Sequence, residues 1–104
     1  MHWRVKHKAK LAYWHACDVA LMLPGAPRKP AVPFQRATLT STMHLGAAMD
    51  TDNAMARHKF TLDFLTSRGW IADDRRTCLT WLGFPEQVVK RDGNYRLVLT
   101  LRAA

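Results

Sequence analysis

The acidic residues of this chain are concentrated in one short window. Five of the eight acids lie between positions 50 and 74 together with only three bases, so the window sums to −2 and the remainder to +10. The five are Asp50, Asp52, Asp63, Asp73 and Asp74. Carboxylates held close together repel each other unless a cation neutralises them or one of them keeps its proton. Their clustering in a basic chain indicates a cation site.

The spacing of the acids suggests which cation. Asp50 and Asp52 are two residues apart, so on an extended backbone both side chains point to the same face. Oxygen ligands without a cluster of Cys or His suit Mg²⁺, with Mn²⁺ as an alternative, rather than zinc. Asp74, with Asp73 beside it, could complete the site if the chain returns along the intervening helix. The predicted metal ligands are therefore Asp50, Asp52, Asp74 and Asp73.

A lysine lies in the same window. Lys59 follows Asp52 by seven residues and precedes Asp63 by four, so one continuous helix would place all three on one face. Beside a metal-bound phosphate, a lysine can neutralise the charge that develops during phosphoryl transfer. The simpler alternative is an ordinary ion pair between Lys59 and Asp63.

The acids also have simpler interpretations. Asp50, Asp52 and Asn53 could be capping residues favoured by a helix dipole, with Asp52 or Asn53 as the N-cap. Asp73 and Asp74 could be solvated residues of a turn. These alternatives stay open from the residues alone.

The first third of the chain predicts a helix and an extended arm. Leu11, Trp14 and Leu21 follow helical spacing, which predicts a helix over residues 3–22. Its first turns are basic. Prolines recur every third residue over Pro24–Pro33, as in an extended polyproline spiral.

The rest of the chain predicts a second helix among strands. Alternation and threonine content favour a strand over residues 34–45, and helical spacing returns over 53–68, with Gly69 as its stop. Further strands are predicted at 77–82, 87–91 and 95–101, the last two joined as a hairpin through "DGN". Residues 1–104 thus form one α+β domain, with a small mixed sheet, two main helices and a C-terminal β-hairpin.

Composition limits the class of partner. A net charge of +8 and an isoelectric point near 10.2 indicate a polyanion, nucleic acid first. No apolar run approaches the ~20 residues that a membrane span needs. Cys17 and Cys78 have no metal-binding spacing and fit a reduced, intracellular protein. The histidines lack metal or triad spacing, and the four tryptophans are expected in the core, with Trp3 also suited to stacking on bases.

The sequence "DTDNAMARHKFTLD" followed by "RGWIADD" resembles the RusA family of Holliday junction resolvases, endonucleases common in phages and prophages. "HWRVKHK" is similar to the start of that family's first helix. Family members usually carry a further strand before this segment, and we expect that strand to be missing here. The matching positions are Asp50, Asp52, Asn53, Lys59, Asp63, Gly69, Asp73 and Asp74.

The resemblance implies a homodimeric, Mg²⁺-dependent nuclease that cuts four-way DNA junctions symmetrically in recombination and repair, in the cytoplasm of a bacterium or phage-infected cell. Asp50, Asp52 and Asp74 would be its catalytic metal-binding acids, and Lys59 its catalytic lysine. Asn53 and Asp63 would support them. No membrane and no small-molecule cofactor are expected.

Basic residues outside the window would hold the phosphate backbones of the DNA by releasing counterions. They are Arg4, Lys6, Lys8, Lys10, Arg28, Lys29, Arg75 and Arg76. Two other functions remain open. One is a DNA-binding protein that keeps the fold without turnover, and the other is a small basic RNA-binding protein of the ribosomal type.

Overall fold

The computed structural model describes residues 3–104, without the side chain of Trp3, so the expected role of that side chain and the start of the "HWR" segment lie outside the described part. The elements run α1 (Trp3–Leu21), β1 (Ala37–Leu45), α2 (Thr51–Ala56), α3 (Lys59–Ser67), β2 (Leu79–Trp81), β3 (Glu86–Val89) and β4 (Arg96–Ala103). The predicted α+β class and mixed sheet are confirmed. None of the described helices is long and apolar enough to cross a membrane.

Strand β1 is the centre of the sheet. β2 and β3 run parallel to its two halves on one edge, and β4 runs antiparallel to nearly its whole length on the other. Between the last β2 pair, Leu39 with Trp81, and the first β3 pair, Thr42 with Glu86, residues 82–85 face two residues of β1. β2 and β3 therefore act together as one edge strand that is interrupted by a bulge.

The predicted hairpin is corrected in its pairing, although strand β4 is present. β3 and β4 do not pair with each other, because β1 lies between them. The "DGN" sequence still turns the chain, with Gly93 at φ 74° and the Asn94 amide donating to the Asp92 side chain at 2.9 Å. The long β1, which is buried along one face, needs a neighbour on both edges to satisfy its backbone, and this favours the central position over a local hairpin.

The two faces of β1 differ. Alternate residues Ala37, Leu39, Ser41 and Met43 are buried, whereas the residues between them are more exposed. Such alternation is typical of a sheet with helices on one face only. The core cluster contains Ala37, Leu39, Ile71 and Leu79, packed against Phe34, Leu62, Leu65, Trp81, Leu99 and Leu101.

The predicted helix over 53–68 is divided into α2 and α3 at a buried histidine. His58 donates from Nδ1 to the carbonyl of Ala54, the group that its own backbone amide would bond in a continuous helix, and the distance is 2.7 Å. The backbone amide of His58 bonds Met55 instead, at 3.1 Å. Nε2 is then left to accept from the Ser41 hydroxyl on β1, at 2.7 Å. The helix tightens because the ring joins it to the sheet.

Helix α3 ends as the sequence predicts. Gly69 has φ 80°, a conformation that favours glycine, and its amide bonds the carbonyl of Thr66 at 3.2 Å. The next amide, of Trp70, bonds Leu65 at 2.9 Å. This pair of bonds is the Schellman arrangement.

Helix α1 packs beside α3 through polar contacts. The Tyr13 hydroxyl lies 2.6 Å from that of Thr61, and the Trp14 indole donates to the carbonyl of Phe60 at 3.0 Å. Arg68 donates two hydrogen bonds to Asp18, at 3.1 and 3.0 Å. An apolar cavity of about 490 Å³ separates α1 from β4.

Candidate functional site

Asp50 and Asp52 lie together at the start of α2, just beyond the C-terminal end of β1. Asp50 is the N-cap residue in place of the predicted Asp52 or Asn53, but its side chain makes no capping hydrogen bond. Asp52 lies in the first turn of α2, and the side chains of Asp50, Asp52 and Asn53 are all exposed. In the part of the chain that the structure describes, neither of the two carboxylates has an ion-pair or hydrogen-bond partner. Capping therefore does not occupy the Asp50 carboxylate.

The backbone before these acids is held in place by β3. The side chain of Gln87 accepts from the amide of Met49 at 2.9 Å and donates to its carbonyl at 2.8 Å. Two bonds from one rigid amide fix both the position and the direction of the chain. Asp50, the next residue, is therefore presented from an anchored loop.

Lys59 is the first residue of α3 and is exposed. The alternative ion pair with Asp63 does not form, because Asp63 bonds Lys10 of α1 at 3.3 Å. The division of the helix at His58 interrupts the single face expected for Asp52, Lys59 and Asp63. Asp63 thus helps to join α1 and α3, while the Lys59 side chain is exposed.

Asp73 and Asp74 lie at the other end of the sheet. Phe34 forms a parallel bridge with Ile71, and Ala37 pairs with Leu79, so residues 73–74 fall beside the N-terminal end of β1. This end is opposite to the one from which the chain leaves for α2. The predicted return of the chain brings residues 73–74 beside the beginning of β1 rather than beside Asp50.

The length of β1 separates the two pairs of acids. Its nine residues span roughly 26 Å at about 3.3 Å per residue. Oxygen ligands of Mg²⁺ lie ~2.1 Å from the ion, so Asp74 cannot share an ion with Asp50 or Asp52 of the same chain. Consistently, no three His, Cys, Asp or Glu side chains among the described residues form a group that could hold a metal.

The acids differ in what they contact. Asp73 accepts from Arg75 at 2.7 Å and from the amide of Asp74 at 2.7 Å, and these bonds hold the pKa of its carboxyl below the ordinary value. Hydrogen bonds from Arg68 likewise lower the pKa of Asp18. The Asp74 carboxylate is exposed and makes no ion pair with another described residue, but it interacts with the side chains of Asp73 and Arg75. Of the three acids predicted to be catalytic, Asp50 and Asp52 are thus the ones left unpaired.

The predicted DNA-binding cations are mostly on the surface. Lys10 is the exception, since it pairs with Asp63 and lies 4.8 Å from the centre of the Trp14 ring. Arg75 is exposed but engaged by Asp73. The exposed members are Arg4, Lys6, Lys8, Arg28, Lys29, Arg75 and Arg76.

Two features were not foreseen from the sequence. The buried pair of His58 and Ser41 could not be found by motif spacing, because the two residues lie in different elements. Arg96 and Arg102 of β4 are exposed on the sheet, and their even spacing with Thr100 was the available signal.

Comparison with protein-family models, with curated proteins and with solved structures finds no match for this chain.

Proposed function

We propose that this protein is a Mg²⁺-dependent endonuclease that acts on branched DNA, four-way junctions above all. The observation that carries the proposal is the contrast among its acids. In a chain with 16 Lys and Arg against 8 acids, the described structure leaves Asp50 and Asp52 exposed and unpaired, and Lys59 at the start of α3 is exposed as well. Because neither carboxylate pairs with any of these basic side chains, both are suited to bind a cation from solution.

The donor chemistry of Asp50 and Asp52 fits a hard divalent ion. When bound, such an ion neutralises a phosphodiester and lowers the pKa of its water. Of the chain's own groups, Gln87 fixes the loop that carries Asp50, and the Lys59 ammonium can contact a phosphate oxygen. Asp73 and Asp74 of the same chain do not fit that site, because the length of β1 separates them from it.

We propose further that the protein acts as a homodimer. A twofold axis perpendicular to β1 reverses the direction of the strand, so the end of β1 in one copy lies on the same side as the beginning of β1 in the other. Asp74 of the partner subunit would then lie on the side of Asp50 and Asp52. Two such sites suit symmetric cleavage of a junction with approximate twofold symmetry. We place this activity in the cytoplasm of a bacterium or phage-infected cell.

Cleavage of a synthetic four-way junction tests the activity. We expect cutting with Mg²⁺ or Mn²⁺, and a loss of at least 100-fold in the cleavage rate for Asp52→Asn. Asp92→Asn is the matched control, since it removes the same charge from an exposed loop. Unchanged cutting by Asp52→Asn would contradict the proposed site.

A second candidate is a DNA-binding protein without turnover, and the separation of the acidic pairs favours it. This protein would bind the junction but leave it intact with either ion at every concentration. Binding measured by gel shift and cleavage measured on the same substrate distinguish the two functions.

A further inference from the structure

One face of the sheet carries no helix in the described structure. The buried residues of β1, from Ala37 to Met43 in steps of two, face α2 and α3, where Ser41 contacts His58. The side chains between them therefore point to the opposite side. We call this surface the open face. On β1 it comprises Thr38, Thr40, Thr42 and His44.

The register of β4 completes the surface. Arg102 lies opposite Thr38, Thr100 opposite Thr40, Val98 opposite Thr42 and Arg96 opposite His44, and all four β4 residues are exposed. Thr80 of β2 lies beside Thr38 on the other edge. The open face is thus a strip of threonine hydroxyl groups, interrupted by the exposed Val98, with an arginine at each end.

The two arginines are not neutralised by their neighbours. Opposite charges placed directly across neighbouring strands stabilise a sheet. Here the cross-strand neighbours are Thr38 and His44, and the acid on this face, Glu86, lies beyond β1 opposite Thr42. Neither guanidinium has a carboxylate partner among the described residues. Both fork-shaped donors remain available to an anion.

The spacing of the arginines suits an extended anion. Arg96 and Arg102 are six residues apart on β4, which is about 20 Å at ~3.4 Å per residue in an antiparallel strand. One DNA strand advances about 3.4 Å along the axis per phosphate, so the distance between the arginines corresponds to roughly six base-pair steps along the axis of a duplex. Threonine hydroxyls between them can donate to phosphate oxygens or sugars.

We propose that the open face binds the phosphodiester backbone of one arm of the DNA, with Arg96 and Arg102 at its two ends. The choice of DNA as the anion rests on the proposed function, whereas the positive charge that would attract an anion is a feature of the sheet itself. A second copy fits less well, because a twofold contact through this face brings four unneutralised arginines to one interface.

The salt dependence of DNA binding tests this assignment. Affinity for a labelled four-way junction is measured by fluorescence anisotropy between 50 and 200 mM KCl in EDTA, which prevents cleavage. For Arg96→Gln/Arg102→Gln we expect weaker binding and a slope of log affinity against log salt that is less steep by about 1.8, ~0.9 for each lost phosphate contact. Arg96→Lys/Arg102→Lys keeps the charges and should keep most of the slope.

The matched control is Arg57→Gln/Arg91→Gln, which removes two exposed cations outside β1 and β4. We expect it to change the slope by less than half as much. An unchanged slope in Arg96→Gln/Arg102→Gln, an equal change in the control, or a loss of self-association in the first variant would each overturn the assignment. Failure of the wild-type protein to bind any junction would overturn both this assignment and the proposed function, whereas binding with a slope that Arg96→Gln/Arg102→Gln leaves unchanged would overturn the assignment alone.

Discussion

His58 connects the helical layer to the sheet through a single side chain. It is fully buried, and both ring nitrogens are satisfied, Nδ1 by the Ala54 carbonyl and Nε2 by the Ser41 hydroxyl. Spacing rules applied to the sequence consider histidines that are near each other in the chain. They could not find a histidine whose partner lies on a separate strand, whereas the exposed acids near it were found because their local clustering is visible in the sequence.

Removing the hydroxyl partner should destabilise the fold. In Ser41→Ala the buried Nε2 loses its hydrogen bond, and the expected loss is roughly 1–3 kcal/mol in the free energy of unfolding. Urea denaturation at pH 7.5 measures it. Thr40→Ala, at the neighbouring exposed position, should change that free energy by no more than about 0.5 kcal/mol, and equal effects of the two substitutions would contradict the role given to Ser41.

The same histidine should make stability depend on pH. Burial lowers the pKa of His58 below its ordinary value of 6.5. Just below pH 6.5 the imidazole is therefore protonated more in the unfolded chain than in the folded one. The free energy of unfolding therefore falls as pH is lowered through 6.5, by at most about 1.4 kcal/mol per pH unit. Urea denaturation at pH 7.5 and 5.5 should show a larger loss for wild type than for His58→Gln. Equal losses would contradict the argument.

The elements show which predictions depend on local sequence alone. Helix α1 and the end of α3 at Gly69 were predicted closely, because helical spacing and a left-handed glycine are local signals. The pairing partners of β3 and β4 were not predicted, because the turn at Gly93 fits both a hairpin between these strands and the observed pairing of each strand with β1. Only the competition for the edges of the buried β1 decides between them, and that competition involves the whole sheet.

The glycine that ends α3 gives a prediction at this scale. Gly69→Ala must place a Cβ on a backbone at φ 80°, which costs roughly 1–2 kcal/mol of stability. Ser67→Ala, at the exposed end of the same helix, should be within about 0.5 kcal/mol of wild type in urea denaturation. A Gly69→Ala variant as stable as wild type would show that the chain ends the helix in another way.

At the scale of the whole molecule, the two halves of the predicted metal site lie at opposite ends of β1. The sequence indicated the residues through their type and spacing. Their separation could not be predicted, because it follows from β2 running parallel to β1, which places residues 73–74 beside the start of that strand. A site that uses both halves therefore requires two copies of the chain.

Mixing two inactive variants tests that requirement. Asp50→Asn/Asp52→Asn chains and Asp73→Asn/Asp74→Asn chains should each fail to cut a junction alone. If sites form between copies, random mixed dimers hold one complete site each, and co-refolding should restore roughly a quarter of the wild-type cleavage. No recovery in mixtures shown to contain mixed dimers would place all the required acids within one chain.

Binding of a divalent ion by Asp50 and Asp52 is the central claim, and a Mn²⁺ titration followed by electron paramagnetic resonance measures it without reference to activity. We expect wild type to bind Mn²⁺, and Asp50→Asn/Asp52→Asn to bind it at least tenfold more weakly. Glu86→Gln/Asp92→Asn removes the same charge and should bind as wild type does. Equal Mn²⁺ affinities for all three proteins would contradict the account.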